Sequence, residues 1–261
     1  MIRKSLALFL LAALMAPVAH AQSLDDVLAK HFQARGGLDK LKKLESVRLM
    51  GHMEVGPGLE APVTMDRKRP AKQRMEFVFS GMTGVQAFDG TRGWGLMPFM
   101  GQTTAEAQPA EENQQTSEDA DFDGPLVDPA TKGITLALAG KEAVDGADAY
   151  KISVTHKSGR VEYFFIDAET YLIVKRSGKQ MARGTEMETE TAFGNYKEVN
   201  GLMFPCSMAV GAKGSDHSRT IVIDSIAVDV PMDDAHFAMP ADTSKHATPP
   251  TKPEAAPKKK K

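Results

Sequence analysis

Cysteine and tryptophan each occur once in the 261 residues, as Cys206 and Trp94. A lone cysteine allows no internal disulfide and no paired-thiolate zinc site. It sits in the apolar run Leu202-Met203-Phe204-Pro205-Cys206, where a buried, inert thiol is expected. There is no His-Glu-x-x-His, and the seven histidines are scattered. No Gly-x-Ser-x-Gly elbow occurs. Gly56-Pro57-Gly58 is a turn and not a dinucleotide loop, because no helical pattern follows it. Asp216-His217-Ser218 gathers three triad-type residues, but neighbours on a strand point to opposite faces, so a polar loop is the better reading. The chain is therefore read as not an enzyme, with no cofactor and no metal. An enzyme with an unrecognised site is the remaining class.

Long hydrophobic runs are also missing. Residues 1–21 have the order of an export signal: Arg3 and Lys4, an apolar run from Leu6 to Met15, then Ala19-His20-Ala21 as a small-residue cleavage site. The run is short of the roughly 20 apolar residues a membrane span needs. The expectation is cleavage after Ala21, a mature chain starting at Gln22, and a periplasmic location. With 42% hydrophobic residues, the span 22–240 is read as one domain with a sizeable core.

The formal net charge is −2, but the charges are unevenly spread. Residues 102–128 hold eight acids and no Lys or Arg. This stretch lies in an insert or lid region, 102–133, read as loop or short helix. A solvated loop is the expectation for its acids, since they lack an EF-hand pattern. Residues 241–261 hold six Lys and four Pro and cannot bury enough apolar surface to fold. They are read as a disordered tail whose lysines suit anionic headgroups, at about 1 kcal/mol per charge near a membrane surface. Nucleic acid is not expected as a partner.

Ser23 and Asp26 form a capping-box signature, and Leu24, Val27, Leu28 and Phe32 then fall on one helical face. Gly36-Gly37 ends that helix, and Leu38, Leu41 and Leu44 suggest a second. From Val47 onward the period is two, with turns at Pro57-Gly58, Pro70-Ala71, Asp89-Gly90, Asp145-Gly146, Ser158-Gly159, Ala168-Glu169 and Asn200-Gly201. The pattern predicts an antiparallel meander of roughly eleven strands. Several strands are apolar on both faces: Tyr163 and Phe165 oppose Phe164 and Ile166. Helices must then cover one face, or the sheet must curl round a cavity.

The stretch from Asp66 to Phe99 carries the most information. Lys68-Arg69-Pro70 is followed by Met75-Glu76-Phe77-Val78-Phe79, then Asp89-Gly90, Trp94 and Pro98-Phe99. This order resembles the LolA-like periplasmic lipoprotein carriers, grouped with outer-membrane lipoprotein-sorting proteins. The segment Ala235-His236-Phe237-Ala238-Met239-Pro240 resembles that family's closing segment, so the likeness runs through nearly all of 23–242. The acidic insert and the basic tail depart from it.

The resemblance implies an α+β fold, mainly β: a curved antiparallel sheet forming an incomplete β-barrel, with helices over its mouth. It implies a monomeric carrier that holds lipoprotein acyl chains or a related lipid for transfer towards the outer membrane, between membrane-bound donor and acceptor proteins. The alternative it leaves open is an envelope sensor that binds a lipidated ligand and a membrane protein. It also implies that Arg69 bonds to the helical lid and holds the cavity shut.

Strand parity adds that Val63, Met65, Arg67 and Arg69 share a face, as do Met75, Phe77 and Phe79. An arginine at the edge of an apolar surface needs a partner. The candidate ligand-binding residues are Arg69, Met65, Phe77, Phe79, Trp94, Met97 and Phe99. Methionine is the adaptable apolar side chain, which suits a lining that must grip and release, and the chain has 15.

Overall fold

The computed structural model describes residues 22–241 apart from 57, 183, 216 and 217. The export signal, Pro57 of the first turn, Asp216 and His217, and the tail from residue 242 lie outside the described residues.

Two helices open the domain, α1 (Leu24–Ala34) and α2 (Leu38–Lys43). The capping box forms: the Ser23 hydroxyl accepts from the Asp26 backbone N–H at 3.2 Å, and the Asp26 carboxylate accepts from Ser23. Gly36 and Gly37 both adopt φ of 104°, the left-handed side that favours glycine. A Cβ on Gly36 would stand 2.0 Å from the Gly201 carbonyl oxygen, so the helix pair is held close to the loop before the last strands.

Six strands follow: β1 (Ser46–Gly56), β2 (Leu59–Lys68), β3 (Lys72–Phe79), β4 (Met82–Phe88), β5 (Gly93–Leu96) and β6 (Glu106–Ala107). Helix α3 (Ala110–Asp119) comes next. Then follow β7 (Thr135–Val144), β8 (Ala147–Thr155), β9 (Val161–Asp167), β10 (Ile173–Ala182), β11 (Thr185–Gly194), β12 (Lys197–Val199), β13 (Leu202–Phe204), β14 (Ser207–Ala212) and β15 (Ser218–Val228). Thirteen strands form one antiparallel sheet in the order β6-β5-β4-β3-β2-β1-β15-β14-β11-β10-β9-β8-β7, and β12 pairs with β13. There are more strands than the roughly eleven expected, because β5, β6, β12 and β13 have only two to four residues. Two meanders, β1–β6 and β7–β11, are stitched together by β14 and β15.

The hairpin Asp145-Gly146 has both residues at positive φ (50° and 85°), as does Asn200-Gly201 (53° and 75°). Asp89-Gly90 is built differently. Asp89 keeps an ordinary φ, and its carboxylate accepts from the N–H groups of Thr91 and Arg92 at 2.8 Å each. Ser80-Gly81, at φ of 51° and 74°, makes the β3–β4 turn that the sequence reading did not single out.

The sheet is curved and does not close into a barrel. Arg67 on β2 and Arg176 on β10 both bond Asp119, yet β2 and β10 are five places apart in the sheet. At about 4.8 Å per strand, a flat sheet would separate them by roughly 24 Å. The sheet therefore wraps around the segment that carries Asp119. Helix α1 fills the β8–β9 end of this inner face, with Val27 fully buried against Tyr150, Ile152, Val154, Phe164 and Ile166. On the outer face, Phe165 is covered by lysine stems; Lys175 and Lys151 place their ammonium groups 4.2 and 5.4 Å from its ring centre.

Candidate functional site

A cavity of about 300 Å³ lies on the inner face. Its apolar wall includes Leu41 and Leu44 from the α2 region, Val47 and Leu49 from β1, and Phe164 and Ile173 from the second meander. Residues 118–127, the end of α3 and the chain after it, cover it.

The apolar surface continues out of the cavity through Leu49. That side chain packs both with Val47 and Leu44 and with a second cluster built on Met53, Val63 and Cys206. Register extends this cluster across the sheet: Leu49 opposes Met65, Met65 opposes Met75, and Val63 opposes Phe77. Antiparallel partners share a face, so Met65, Met75 and Phe77 line one inner wall. Phe99, in the 3₁₀ turn Pro98–Met100, packs on Phe77 and Phe79 with ring centres 5.4 and 5.7 Å apart. Phe79 is exposed at the β3 tip, and Met97 is half-buried beside Gln86 and Gly95 on the same face.

Trp94 stands on the other face. Cross-strand register aligns it with Ala87, Arg74, Asp66 and Arg48. It is 1% exposed, and its indole N–H donates to the Phe237 carbonyl at 2.9 Å. Arg74 sits 5.4 Å from the ring. The segment after β15 covers this surface, and Trp94 anchors it. Cys206 is buried, 1% exposed.

Arg69 bridges three pieces of chain. Its guanidinium donates twice to the Asp123 carboxylate, at 2.6 Å each, and to the carbonyls of Leu44 and Leu41 at 2.6 and 3.0 Å. The last two are at the C-terminal end of α2, where unpaired carbonyls favour a cation. Its plane lies 4.8 Å from the Phe122 ring centre.

The acids of residues 118–123 do not form the solvated loop expected from their composition. Asp119 Oδ1 accepts from Arg176 at 2.6 Å and from Arg160 at 2.9 Å. Glu118 accepts from Arg160 at 2.7 Å, and Asp121 from Lys132 at 2.5 Å. Arg67 donates to the carbonyls of Asp119 and Asp121 at 3.1 and 2.8 Å, and its Nε is buried with no partner among the described residues. Beneath them Glu162, 2% exposed, bonds His156 at 2.5 Å and also accepts from Arg176. Burial pushes the Glu162 carboxyl up, but His156, Arg176 and Arg160 outweigh it and bring it down to about 2. Burial lowers the Arg67 guanidinium, and Asp119 and Asp121 oppose this only in part. Burial likewise drops His31, which faces the cavity, to about 4.

Arg67, Arg160, Arg176 and the acids that meet them were absent from the candidate residues of the sequence reading. One signal was present: parity had already put Arg67 on the apolar face, where a charge requires a counter-charge.

No protein-family model matches this chain, and no curated protein sequence matches it. Solved structures do. A DUF1329 family protein from Desulfovibrio piger is 14% identical with a TM-score of 0.56; the match covers 84% of this chain and 98% of that one. A LolA superfamily protein from Nitrosomonas europaea is 13% identical with a TM-score of 0.54, over 84% and 98% of the two chains. A domain from Vibrio parahaemolyticus, described as an outer membrane lipoprotein-sorting protein, is 12% identical with a TM-score of 0.51, over 76% and 93%. With its curved, unclosed antiparallel sheet and few helices, this chain has a LolA-like fold.

Proposed function

We propose that the protein is a monomeric periplasmic carrier, and not an enzyme, that holds the acyl chains of a lipoprotein or a related lipid and passes them from a membrane-bound donor to an acceptor towards the outer membrane. The observation that carries this reading is the inner cavity, which runs through Leu49 onto the wall of Met65, Met75 and Phe77. Burying an acyl chain contributes about 0.8 kcal/mol per CH₂, and an adaptable methionine surface accepts chains of varied shape. The cavity, about 300 Å³, is at the lower end of the roughly 300–1,000 Å³ of small-molecule sites. A long acyl chain therefore requires the cover of residues 118–127 to move, and Arg69 is the residue we assign as its latch. The fold likeness supports this reading, since two of the similar structures are a LolA superfamily protein and a lipoprotein-sorting domain.

The test is native mass spectrometry of the protein recovered from a bacterial periplasm, followed by lipoprotein transfer from donor to acceptor membranes. Co-purified acylated species and measurable transfer are expected. Uptake without transfer moves the reading to an envelope sensor. Protein that takes up no acylated molecule refutes both.

A further inference from the structure

The cavity has one charged wall, and its charge is divided in an unusual way. Arg67 and Arg176 line it from the sheet side against the single carboxylate of Glu162, and Arg69 and Arg160, just after β2 and just before β9, meet the same cover beside it. The covering segment contributes Glu118, Asp119, Asp121 and Asp123. With the cover down, the arginines are neutralised. With it lifted, Arg67 and Arg176 face one carboxylate inside a concave, partly apolar surface, and Arg69 and Arg160 lose their acids at its edge, which is costly without a counter-ion.

Asp119 is the centre of this arrangement. One carboxylate oxygen sits between the guanidiniums of Arg160 and Arg176, at 2.9 and 2.6 Å, and the backbone carbonyl of the same residue meets Arg67 at 3.1 Å. Arg67 retains a buried Nε–H with no partner among the described residues. Two arginines therefore converge on one carboxylate oxygen, a third bonds the backbone carbonyl of the same residue with a donor to spare, and Phe164 and Ile173 of the cavity wall lie beside them.

We propose, resting on the carrier reading above, that the cargo is an anionic amphiphile. Its phosphate or carboxylate head takes the place of Asp119 among Arg67, Arg160 and Arg176 while its acyl chain lies along Leu49 and the methionine wall. The covering segment is then an internal stand-in for the head group. Opening the cover and admitting the anion are coupled, because each offsets the charge the other leaves. A neutral acyl lipid gains the apolar burial but leaves the arginines uncovered. Arginine suits both head groups through paired N–H donors.

The experiment is a calorimetric titration of the full exported chain, stripped of endogenous ligand. Three probes are used below their aggregation limits: a single-chain acyl glycerol phosphate, the acyl glycerol of equal chain length, and inorganic phosphate. The acyl glycerol phosphate is expected to bind about tenfold or more tightly than the acyl glycerol, the size of a charge-assisted contact, and far more tightly than inorganic phosphate. Asp119→Asn should tighten the acyl glycerol phosphate several-fold, because it weakens the stand-in that competes with the head group; Arg67→Gln should narrow the gap between the two lipids. Equal affinity for the two lipids overturns the anion assignment and leaves the carrier reading standing. Inorganic phosphate binding as tightly as its acylated form overturns the assignment in favour of a free-anion site. Binding of neither lipid refutes the carrier reading itself. Should Arg67→Gln fail to fold, Asp119→Asn decides alone, and no change in acyl glycerol phosphate affinity in that variant overturns the proposal.

Discussion

On the outer face of β1–β5, the sheet supplies both signs of charge: Arg48 forms a two-bond pair with Asp66 at 2.7 and 2.8 Å, and Arg74 meets Glu76 at 2.6 Å. The segment after β15 then covers these pairs, using the His236 ring on Asp66 and the His236 and Phe237 carbonyls on Arg74 and Trp94. On the inner face the sheet side supplies arginines almost alone, and the cover supplies the acids. Removing the outer cover would leave these two pairs intact and would free only Lys68 and Lys72 from Asp234. Removing the inner one would leave a cationic cavity. Both covers also bury apolar side chains, Phe237 in the outer one and Ala120, Leu126 and Val127 in the inner one, so the difference lies in the charges. The first is built as a staple and the second as a cover whose release depends on charge.

Glu162 is where this contrast can be broken with the largest effect, because it is the one sheet carboxylate under the inner cover. Glu162→Gln removes the buried carboxylate that Arg176 and His156 share, leaving Arg176 with Asp119 alone, and should cost about 3–5 kcal/mol in denaturant unfolding. The wild type should also show its pH signature. The carboxyl falls from 4.5 to about 2 on folding, so its contribution is full above pH 4.5 and is lost as pH falls towards 2, about 3 kcal/mol in all. His31 titrates on a different slope. Its value falls from 6.5 to about 4, so the unfolded chain takes up that proton first and stability declines between pH 6.5 and 4. The variant should keep the His31 slope and lose the lower one. A variant that retains both would show that Glu162 is not the group that holds this wall together.

Asp66 is the corresponding test of the staple. Burial pushes its carboxyl up, but Arg48 and His236 hold it below the usual range. Asp66→Asn should cost about 2–3 kcal/mol, somewhat less than the inner lesion, because Arg48 keeps 33% of its side-chain surface in water. Hydrogen exchange should rise in residues 232–239 and stay unchanged in residues 110–127. If both segments loosen together, the two covers are one cooperative unit and the contrast fails.

Much of this architecture was legible in the chain. Period-two alternation gave the sheet, Ser23 and Asp26 gave the start of α1, and parity put Met65 with Val63 and Met75 with Phe77, as the register has them. Trp94 was not legible, because its face depends on how many residues the Asp89 turn consumes, and Asp89 closes that turn with its side chain instead of a two-residue hairpin. The inner charge network was hidden for a different reason. Arg67 and Asp119 are 52 residues apart, and Arg176 and Asp119 are 57 apart. A run of acids with no local base reads as solvated when its bases are on distant strands. The complement was nevertheless visible in outline: one segment with eight acids and no base, and an arginine placed by parity on an apolar wall.

Arg69 gives the smallest stability effect and the sharpest functional one. Its guanidinium ties the end of β2 to the C-terminal end of α2 and to Asp123 of the inner cover, and 20% of its side-chain surface remains exposed. Arg69→Leu removes these bonds but keeps apolar contact with Phe122, so a loss of about 1–2 kcal/mol is expected. The freed Asp123 reaches solvent when the cover lifts, so the lifted, ligand-accepting form is favoured and no latch draws the cover back to expel the ligand. Ligand exchange should therefore change more than stability does: the variant should trap ligand or fail to pass it to an acceptor membrane, measured as the transfer rate of a labelled lipoprotein. If transfer kinetics in Arg69→Leu match the wild type while hydrogen exchange in residues 118–127 rises, the cover moves without controlling the cargo, and the latch must be sought at Arg160 and Arg176 instead.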